Sequence, residues 1–148
     1  MRIVIDTNVL LDGADDDNSF ANKIIDEVLA GKLEAFANSK TAKENRFIVR
    51  TNLNKREYRE KLERYFAVLK YTQPVRVDVQ MTDNQDKKLL SSALSAGAEY
   101  LITSDWDLLR LEENDGVKIV TPQAFWNIYR QEVLGENDWK KFIKDFLN

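Results

Sequence analysis

MRIVIDTNVL, residues 1–10, is the stretch of sequence that decides the fold. Its apolar, β-branched residues 3–5 are typical of a strand that is buried on both faces, as strands of parallel sheets are. The run ends abruptly in Asp6, which is followed by Thr7 and Asn8. Open α/β sheets bind ligands and metals at the carboxyl ends of their strands. Asp6 therefore stands where such folds carry out their chemistry.

Strand and helix patterns alternate along the rest of the chain. Apolar runs predict four further strands, at 33–37, 75–79, 99–103 and 117–120. Amphipathic patterns between them predict helices, including one capped within Asp15–Asn18, one over 39–50, one over 53–70, one over 84–96 and one that begins after Thr121-Pro122. Five strands separated by helices predict a parallel sheet with helices on both faces.

The C-terminal part of the pattern is less regular. Gly135 is expected to break the helix that precedes it, and residues 137–147 then predict a last amphipathic helix with Trp139 and Phe142 on its apolar face. No linker or internal repeat interrupts the sequence. We therefore expect one domain over 1–148, with a core over about 1–134.

Composition narrows the chemistry. The 148 residues include 43% hydrophobic and 32% charged side chains, which is ordinary for a globular protein. They include no histidine and no cysteine, so that any metal must be held by oxygen atoms, which favours Mg²⁺ or Mn²⁺. No apolar stretch approaches a membrane span and no signal peptide is visible, and we expect a cytoplasmic protein.

Several acidic residues fall where the predicted topology brings them together. Asp6 ends the first strand, Asp105 follows the fourth, Asp86 lies in the first turn of the helix over 84–96, and Glu44 lies on the helix after strand two. Two carboxylates about 4 Å apart repel each other by roughly 4 kcal/mol at an effective dielectric constant near 20. Mg²⁺ or Mn²⁺ would relieve this repulsion, and such ions activate water and stabilise phosphodiester transition states.

Three motifs carry a resemblance to a known family. They are IVIDTNVLL at 3–11, DNQDKKLLSSALSAGAEYLITSDWDLL at 83–109 and VKIVTPQAF at 117–125. Together they resemble the PIN-domain family of metal-dependent ribonucleases, and most closely a branch of toxin components from toxin–antitoxin pairs. The resemblance covers about 1–130 and implies a three-layer α/β/α fold with a five-stranded parallel sheet of order 3-2-1-4-5.

The resemblance also implies the site. The catalytic positions of the family fall on Asp6, Glu44, Asp86 and Asp105. Its metal ligands fall on Asp6, Asp86, Asp105 and Asp107, and its supporting polar positions on Thr7, Asn8, Thr103 and Ser104. The implied cofactor is Mg²⁺ or Mn²⁺, and the implied products carry 5′-phosphate and 3′-hydroxyl ends. A cognate antitoxin and a homodimer are the implied protein partners. Asn45 departs from the family pattern, which often has an aromatic or apolar residue there.

A basic segment at 40–64 holds nine lysines and arginines against four glutamates. One interpretation is a footprint for the RNA backbone, with contacts from Lys40, Lys43, Arg46 and Arg50. The alternative is an ordinary solvated helix face with pairs of opposite charge four residues apart. The acidic run Asp12–Asp17 is expected to be a solvated loop and helix cap, and the ring of Trp106 is expected to pack.

These observations favour a metal-dependent endoribonuclease that cleaves single-stranded or structured RNA, acting as the toxin of a toxin–antitoxin pair. One alternative is a Mg²⁺-dependent phosphatase or receiver-like α/β domain. Asn8 stands where a phosphatase requires a second aspartate, and Asp78 and Lys118 fit a receiver poorly. The other alternative is a catalytically silent PIN-like binding module, which the four intact acids disfavour.

Overall fold

A six-stranded sheet forms the centre of the computed structural model, which describes residues 1–81 and 83–147. The strands are Arg2–Ile5 (β1), Glu34–Asn38 (β2), Lys70–Thr72 (β3), Tyr100–Ile102 (β4), Glu113–Asn114 (β5) and Val117–Val120 (β6). Their order is β3-β2-β1-β4-β6-β5, and all neighbours pair in parallel except β5 and β6. The predicted order 3-2-1-4-5 is confirmed if β6 is counted as the fifth strand, and the short antiparallel β5 is an addition at its edge.

Helices cover both faces of this sheet. They are Thr7–Asp12 (α1), Phe20–Leu29 (α2), Ser39–Asn52 (α3), Arg56–Val68 (α4), Asn84–Ala96 (α5), Trp106–Leu109 (α6), Pro122–Tyr129 (α7) and Gly135–Leu147 (α8). None of the helices in the described ranges is long and apolar enough to cross a bilayer.

The sheet separates two apolar cores. Successive residues of a strand face opposite sides, so Ile3 and Ile5 join the core beneath α2, α4 and α7, whereas Val4 joins the core beneath α5. Leu101 and Ile102 of β4 divide in the same way. The central strands are therefore buried on both faces, as their continuous apolar sequences predict, and their carboxyl ends are the positions left for a polar site.

The third strand is not where the sequence predicts it. Strand β3 occupies Lys70–Thr72, whereas the predicted segment 75–79 is a loop. The backbone N–H and C=O of Val75 both bond to the Ser91 hydroxyl on α5, at 2.9 and 2.8 Å, instead of to a neighbouring strand. Because this loop lies over α5, Val77 and Val79 are half-buried, and their spacing imitates the alternation of a strand.

The start of α2 and the segment before it also differ from the prediction. Ser19 caps α2 by accepting a hydrogen bond from the Asn22 N–H, so the cap lies just after the predicted range Asp15–Asn18. A short helix, α1, begins directly after β1 and was not predicted. Its N-cap is Asp6, whose carboxylate accepts from the Asn8 N–H at 3.2 Å. The strand therefore turns into a helix at the acidic residue.

Gly135 does not break the helix, contrary to the prediction. The chain continues from α7 through a π-helical turn, Arg130–Leu134, into α8. The Gly135 N–H donates to the Arg130 carbonyl five residues earlier, and Gly135 itself has ordinary right-handed helical angles. The last helix exists as predicted but begins two residues earlier, and the side chains of Trp139 and Phe142 lie outside the described part of the chain.

Candidate metal centre

Asp6 is held rigidly at the carboxyl end of β1. Its backbone N–H donates to the Ile102 carbonyl at 2.9 Å, which extends the pairing of β1 with β4. One carboxylate oxygen accepts from the Asn8 N–H, and the other accepts from the Thr103 hydroxyl at 2.9 Å. Only 6% of Asp6 is exposed. Burial raises the pKa of the Asp6 carboxyl, although the two hydrogen bonds oppose that shift.

Three further carboxylates converge beside it. Asp86 lies in the first turn of α5, Asp105 immediately precedes α6, and Asp107 is the second residue of α6. Each offers a carboxylate oxygen atom, and the three oxygen atoms lie within 4.8 Å of one another. Asp105 is the N-cap of α6 and accepts from the Asp107 N–H at 2.9 Å. Asp86 is 5% exposed, whereas Asp107 is exposed to solvent. Two separate helix starts thus bring the three carboxylates together.

Thr103 connects Asp6 to this cluster. Its hydroxyl donates to Asp6 and accepts from the Asp105 N–H at 3.0 Å, and its side chain is fully buried. It therefore fixes both the carboxylate of β1 and the start of α6 with one oxygen atom. Ser104, the other predicted hydroxyl after β4, lines a different cavity together with Asp12. The structure thus brings Thr103, and not Ser104, to the carboxylates.

The electrostatics of the site favour a bound cation. Burial, followed by the charges of Asp105 and Asp83, raises the pKa of Asp86 to about 6, and Asp6 contributes in the same direction. The charge of Asp105 also raises the pKa of Asp6. A divalent cation would remove this repulsion. The donors are carboxylate oxygens and the chain has no histidine or cysteine, so the residues present fit Mg²⁺ or Mn²⁺.

A small cavity of about 160 Å³ opens beside Asp6 between α3 and α5. Its lining consists of Asp6, Thr7, Asn8, Thr41, Asn45, Ile48, Gln85 and Leu89. Thr41, Asn45 and Ile48 follow the spacing of one helix face, and this spacing was the signal in the sequence that could have identified them. Thr7 and Asn8 therefore lie at the site as predicted, whereas Thr41, Asn45 and Gln85 were not predicted to line the cavity.

Glu44 is exposed and does not line this cavity. At about 100° per residue, its position on α3 lies roughly 60° away from that of Thr41 around the helix axis. The structure thus places Glu44 at the edge of the face that borders Asp6, and the neighbouring Asn45 on that face. Its catalytic role stays a prediction.

The predicted RNA-binding residues fall into two groups. Arg46 and Arg50 on α3 both bind the carboxylate of Glu63 on α4, at 2.6 and 2.8 Å, and these contacts lower the pKa of Glu63. These ion pairs therefore connect α3 to α4. Within the described ranges, the ammonium groups of Lys40 and Lys43 have no ion pair.

Two aspartates of the acidic run at 12–17 make contacts away from the carboxylates of the site. Asp17 pairs with Lys55 at 3.1 Å, and Asp16 accepts from the Asn18 N–H at 2.8 Å. Asp12 is the member of the run that affects the site, because its charge raises the pKa of Asp6. The sequence predicts a solvated loop and helix cap for this run. Most of it is exposed, but Gly13–Asp15 forms a short 3₁₀-helix and the cap of α2 is Ser19, outside the run.

Comparisons with known proteins identify the family of this chain. A family model described as a PIN domain matches residues 2–107, which include Asp6, Asp86, Asp105 and Asp107. A chain in the crystal structure of VapBC2 from Rickettsia felis, bound to a DNA fragment from their promoter, superposes with a TM-score of 0.53 at 15% sequence identity. The superposition covers 80% of this chain and 97% of that chain. No curated protein matches the sequence significantly. Since the family model spans well over half of the sequence, this chain belongs to the PIN-domain family.

Proposed function

We propose that the protein is a metal-dependent endoribonuclease. The observation that carries this proposal is the group of carboxylates at 86, 105 and 107, within 4.8 Å of one another and joined to Asp6 through Thr103. Carboxylates gathered without nitrogen or sulfur ligands suit the divalent ions that serve phosphodiester hydrolysis. The resemblance to a family of metal-dependent ribonucleases points to RNA as the substrate.

In this proposal each acidic residue has a defined task. Asp86, Asp105 and Asp107 hold Mg²⁺ or Mn²⁺, with Asp6 as the fourth ligand at the end of β1. When bound, the ion activates a water molecule and neutralises charge that develops on the phosphate. Thr103 positions the carboxylates of Asp6 and Asp105 through its two hydrogen bonds.

The supporting residues act around this centre. Asn8 orients the substrate or the attacking water from the cavity beside Asp6, where Thr7 forms part of the wall. Glu44 reaches the site from the edge of α3 by rotation of its side chain, whereas Ser104 lines the neighbouring cavity with Asp12 and supports the site only through the turn after β4. Lys40 and Lys43 contact the RNA backbone, and Arg46 and Arg50 do so from their ion pairs with Glu63.

The test is cleavage of a fluorescently labelled, unstructured RNA by the purified protein. We expect cleavage that requires Mg²⁺ or Mn²⁺, stops in EDTA, and leaves 5′-phosphate and 3′-hydroxyl ends. Asp6→Asn keeps an oxygen atom to cap α1 and removes the charge, and should lower the rate by at least about 100-fold. Asp15→Asn, which changes an exposed aspartate, is the matched control. Full activity of Asp6→Asn, or activity in EDTA, would contradict the proposal.

We further propose that the protein is a toxin with a cognate antitoxin. Its support is the likeness to a chain from a VapBC2 complex together with the family resemblance. Induced expression should then arrest growth, and expression of Asp6→Asn should not. An antitoxin encoded beside the gene should copurify with the chain, and light scattering should give the mass of a homodimer for the toxin alone. Growth that is unaffected by expression would contradict the toxin role.

A further inference from the structure

We propose that a single strand of RNA crosses the carboxyl edge of the sheet, from a lysine-lined cavity on one side to the ring of Trp106 on the other. The phosphate to be cleaved lies between them at the carboxylates. This inference rests on the proposed ribonuclease function and adds two binding subsites to it.

The first subsite is a cavity of about 640 Å³ at the ends of β2 and β3. Lys40 at the start of α3 lines it together with Lys87 and Lys88 of α5, and the loop after β3 forms another wall. No carboxylate lines this cavity, and none of the three ammonium groups has an ion pair among the residues that the structure describes. Three unpaired cations around a concave surface suit the phosphate groups of a nucleic acid backbone.

The second subsite is the indole ring of Trp106. The sequence favoured a packed ring, but 72% of Trp106 is exposed, and the ring contacts no other aromatic ring in the described part of the chain. Trp126, by contrast, is half-buried, with its ring centre 5.7 Å from that of Tyr129. An exposed indole between two metal-binding aspartates is placed to stack on a base beside the reacting phosphate.

The sheet order connects the two subsites. Thr41 lines both the lysine cavity and the cavity that contains Asp6, and Thr103 then joins Asp6 to Asp105, the residue before Trp106. Neighbouring strands lie about 4.8 Å apart, so the ends of β2 and β4 are separated by roughly 10 Å. An RNA chain that follows this edge of the sheet thus meets the lysine side chains, then the carboxylates, then the ring of Trp106.

The ring of Trp106 favours an unpaired base. A base within a duplex is already stacked on its neighbours and must leave the helix to reach a side chain, which costs free energy. A protein partner on Trp106 is the less favoured occupant. Asp105 and Asp107 flank the ring, and together with the divalent ion of the proposed function they suit a phosphate, whereas the cores of protein interfaces are depleted of charged residues. We therefore infer single-stranded RNA and not a second protein.

The test measures binding of a fluorescein-labelled 12-nucleotide single strand, and of its duplex, to the full chain carrying Asp6→Asn in Mg²⁺, so that the remaining carboxylates keep a cation while cleavage is slow. Adding Trp106→Ala should weaken single-strand binding about 5- to 100-fold and leave duplex binding unchanged. Trp106→Phe should recover most of the affinity, and Trp126→Phe is the matched control. Circular dichroism checks that each variant is folded.

The lysine end is tested through salt dependence in the same background. Changing Lys40, Lys87 and Lys88 together to alanine should reduce the slope of log affinity against log salt concentration by about 2, since each lost phosphate contact on a single strand contributes about 0.7. Arg56→Ala, which removes an exposed arginine paired with Glu60, should leave the slope unchanged.

The outcomes separate this inference from the ribonuclease proposal. If unaltered protein cleaves the RNA but the tryptophan or the lysine variants bind it normally, the path is wrong and the activity stands. If the binding changes are as expected but no cleavage occurs, the path stands and the activity is wrong. If Trp106→Ala leaves RNA binding unchanged and instead dissociates a homodimer in sedimentation, the ring is a protein contact and the inference is overturned.

Discussion

Replacement of Asp86 by asparagine should stabilise the metal-free protein while it removes a ligand of the proposed metal site. Asp86 is buried, and burial together with neighbouring aspartates raises its pKa from 3.8 to about 6. Each tenfold change in proton affinity is equivalent to about 1.4 kcal/mol, so a charged Asp86 costs the folded state up to about 3 kcal/mol above pH 6. Asparagine has nearly the same shape and removes this cost.

The sign of the pH dependence follows from the same values. The folded protein holds this proton more tightly than the unfolded chain does, so the wild-type protein gains stability from Asp86 as the pH falls from about 6 towards 4. Asp86→Asn lacks that contribution. The difference between the two proteins in EDTA should therefore be up to about 3 kcal/mol at pH 8, or up to about 10 °C in Tm, and should disappear near pH 4.

Divalent metal should narrow the difference between the two proteins at pH 8. Binding to the native state raises stability by about 1.4 kcal/mol at a free Mg²⁺ concentration tenfold above Kd, and this gain should be lost in Asp86→Asn. Urea unfolding in EDTA and in Mg²⁺, at pH 4, 6 and 8, measures all of these quantities, with Asp15→Asn as the control. The reasoning is refuted if Asp86→Asn is less stable than the wild type at pH 8 in EDTA, or if both gain equally from Mg²⁺.

Three further changes probe the framework of the site. Thr103→Val removes both hydrogen bonds of the buried hydroxyl, and should lower the free energy of unfolding in urea by about 1–3 kcal/mol and lower the cleavage rate. Thr103→Ser should restore the stability and the rate. An unchanged rate for the valine variant would show that Thr103 does not position the carboxylates. Leu101→Ala in the fully buried centre of β4 should cost about 2–5 kcal/mol, and a loss below 1 kcal/mol would contradict the packing described. Gly97→Ala should cost about 1 kcal/mol because Gly97 ends α5 at φ +61°, whereas Gly135→Ala, in ordinary helical conformation, should not destabilise the protein in thermal unfolding.

The sequence predicts the sheet well where apolar runs are continuous. Residues 3–5 and 100–102 are buried on both faces, which leaves a strong compositional signal. Strand β3 lacks that signal because Lys70 and Tyr71 lie exposed at the edge of the sheet. The alternation of valines at 75, 77 and 79 gave a false signal. Val77 and Val79 are half-buried from within a loop, Val75 is exposed, and alternation alone does not distinguish a strand from such a loop.

The candidate site is predictable as far as the backbone determines it. Asp6, Asp86 and Asp105 are each fixed by the end of a strand or the start of a helix, and such positions can be identified in a sequence. The pairing of Arg46 and Arg50 with Glu63 depends on how α3 packs against α4, and no local pattern contains that information. The exposure of Trp106 likewise depends on which neighbours reach its ring.

The π-helical turn at Arg130–Leu134 also sets the rotational phase of the C-terminal helix. One additional residue in a turn rotates every later side chain by about 100° around the helix axis relative to an uninterrupted α-helix. The direction in which Phe146 points therefore depends on this turn as well as on the direction of α7. Removal of a single residue from this turn would leave the composition of α8 unchanged while directing a different side of it towards the solvent.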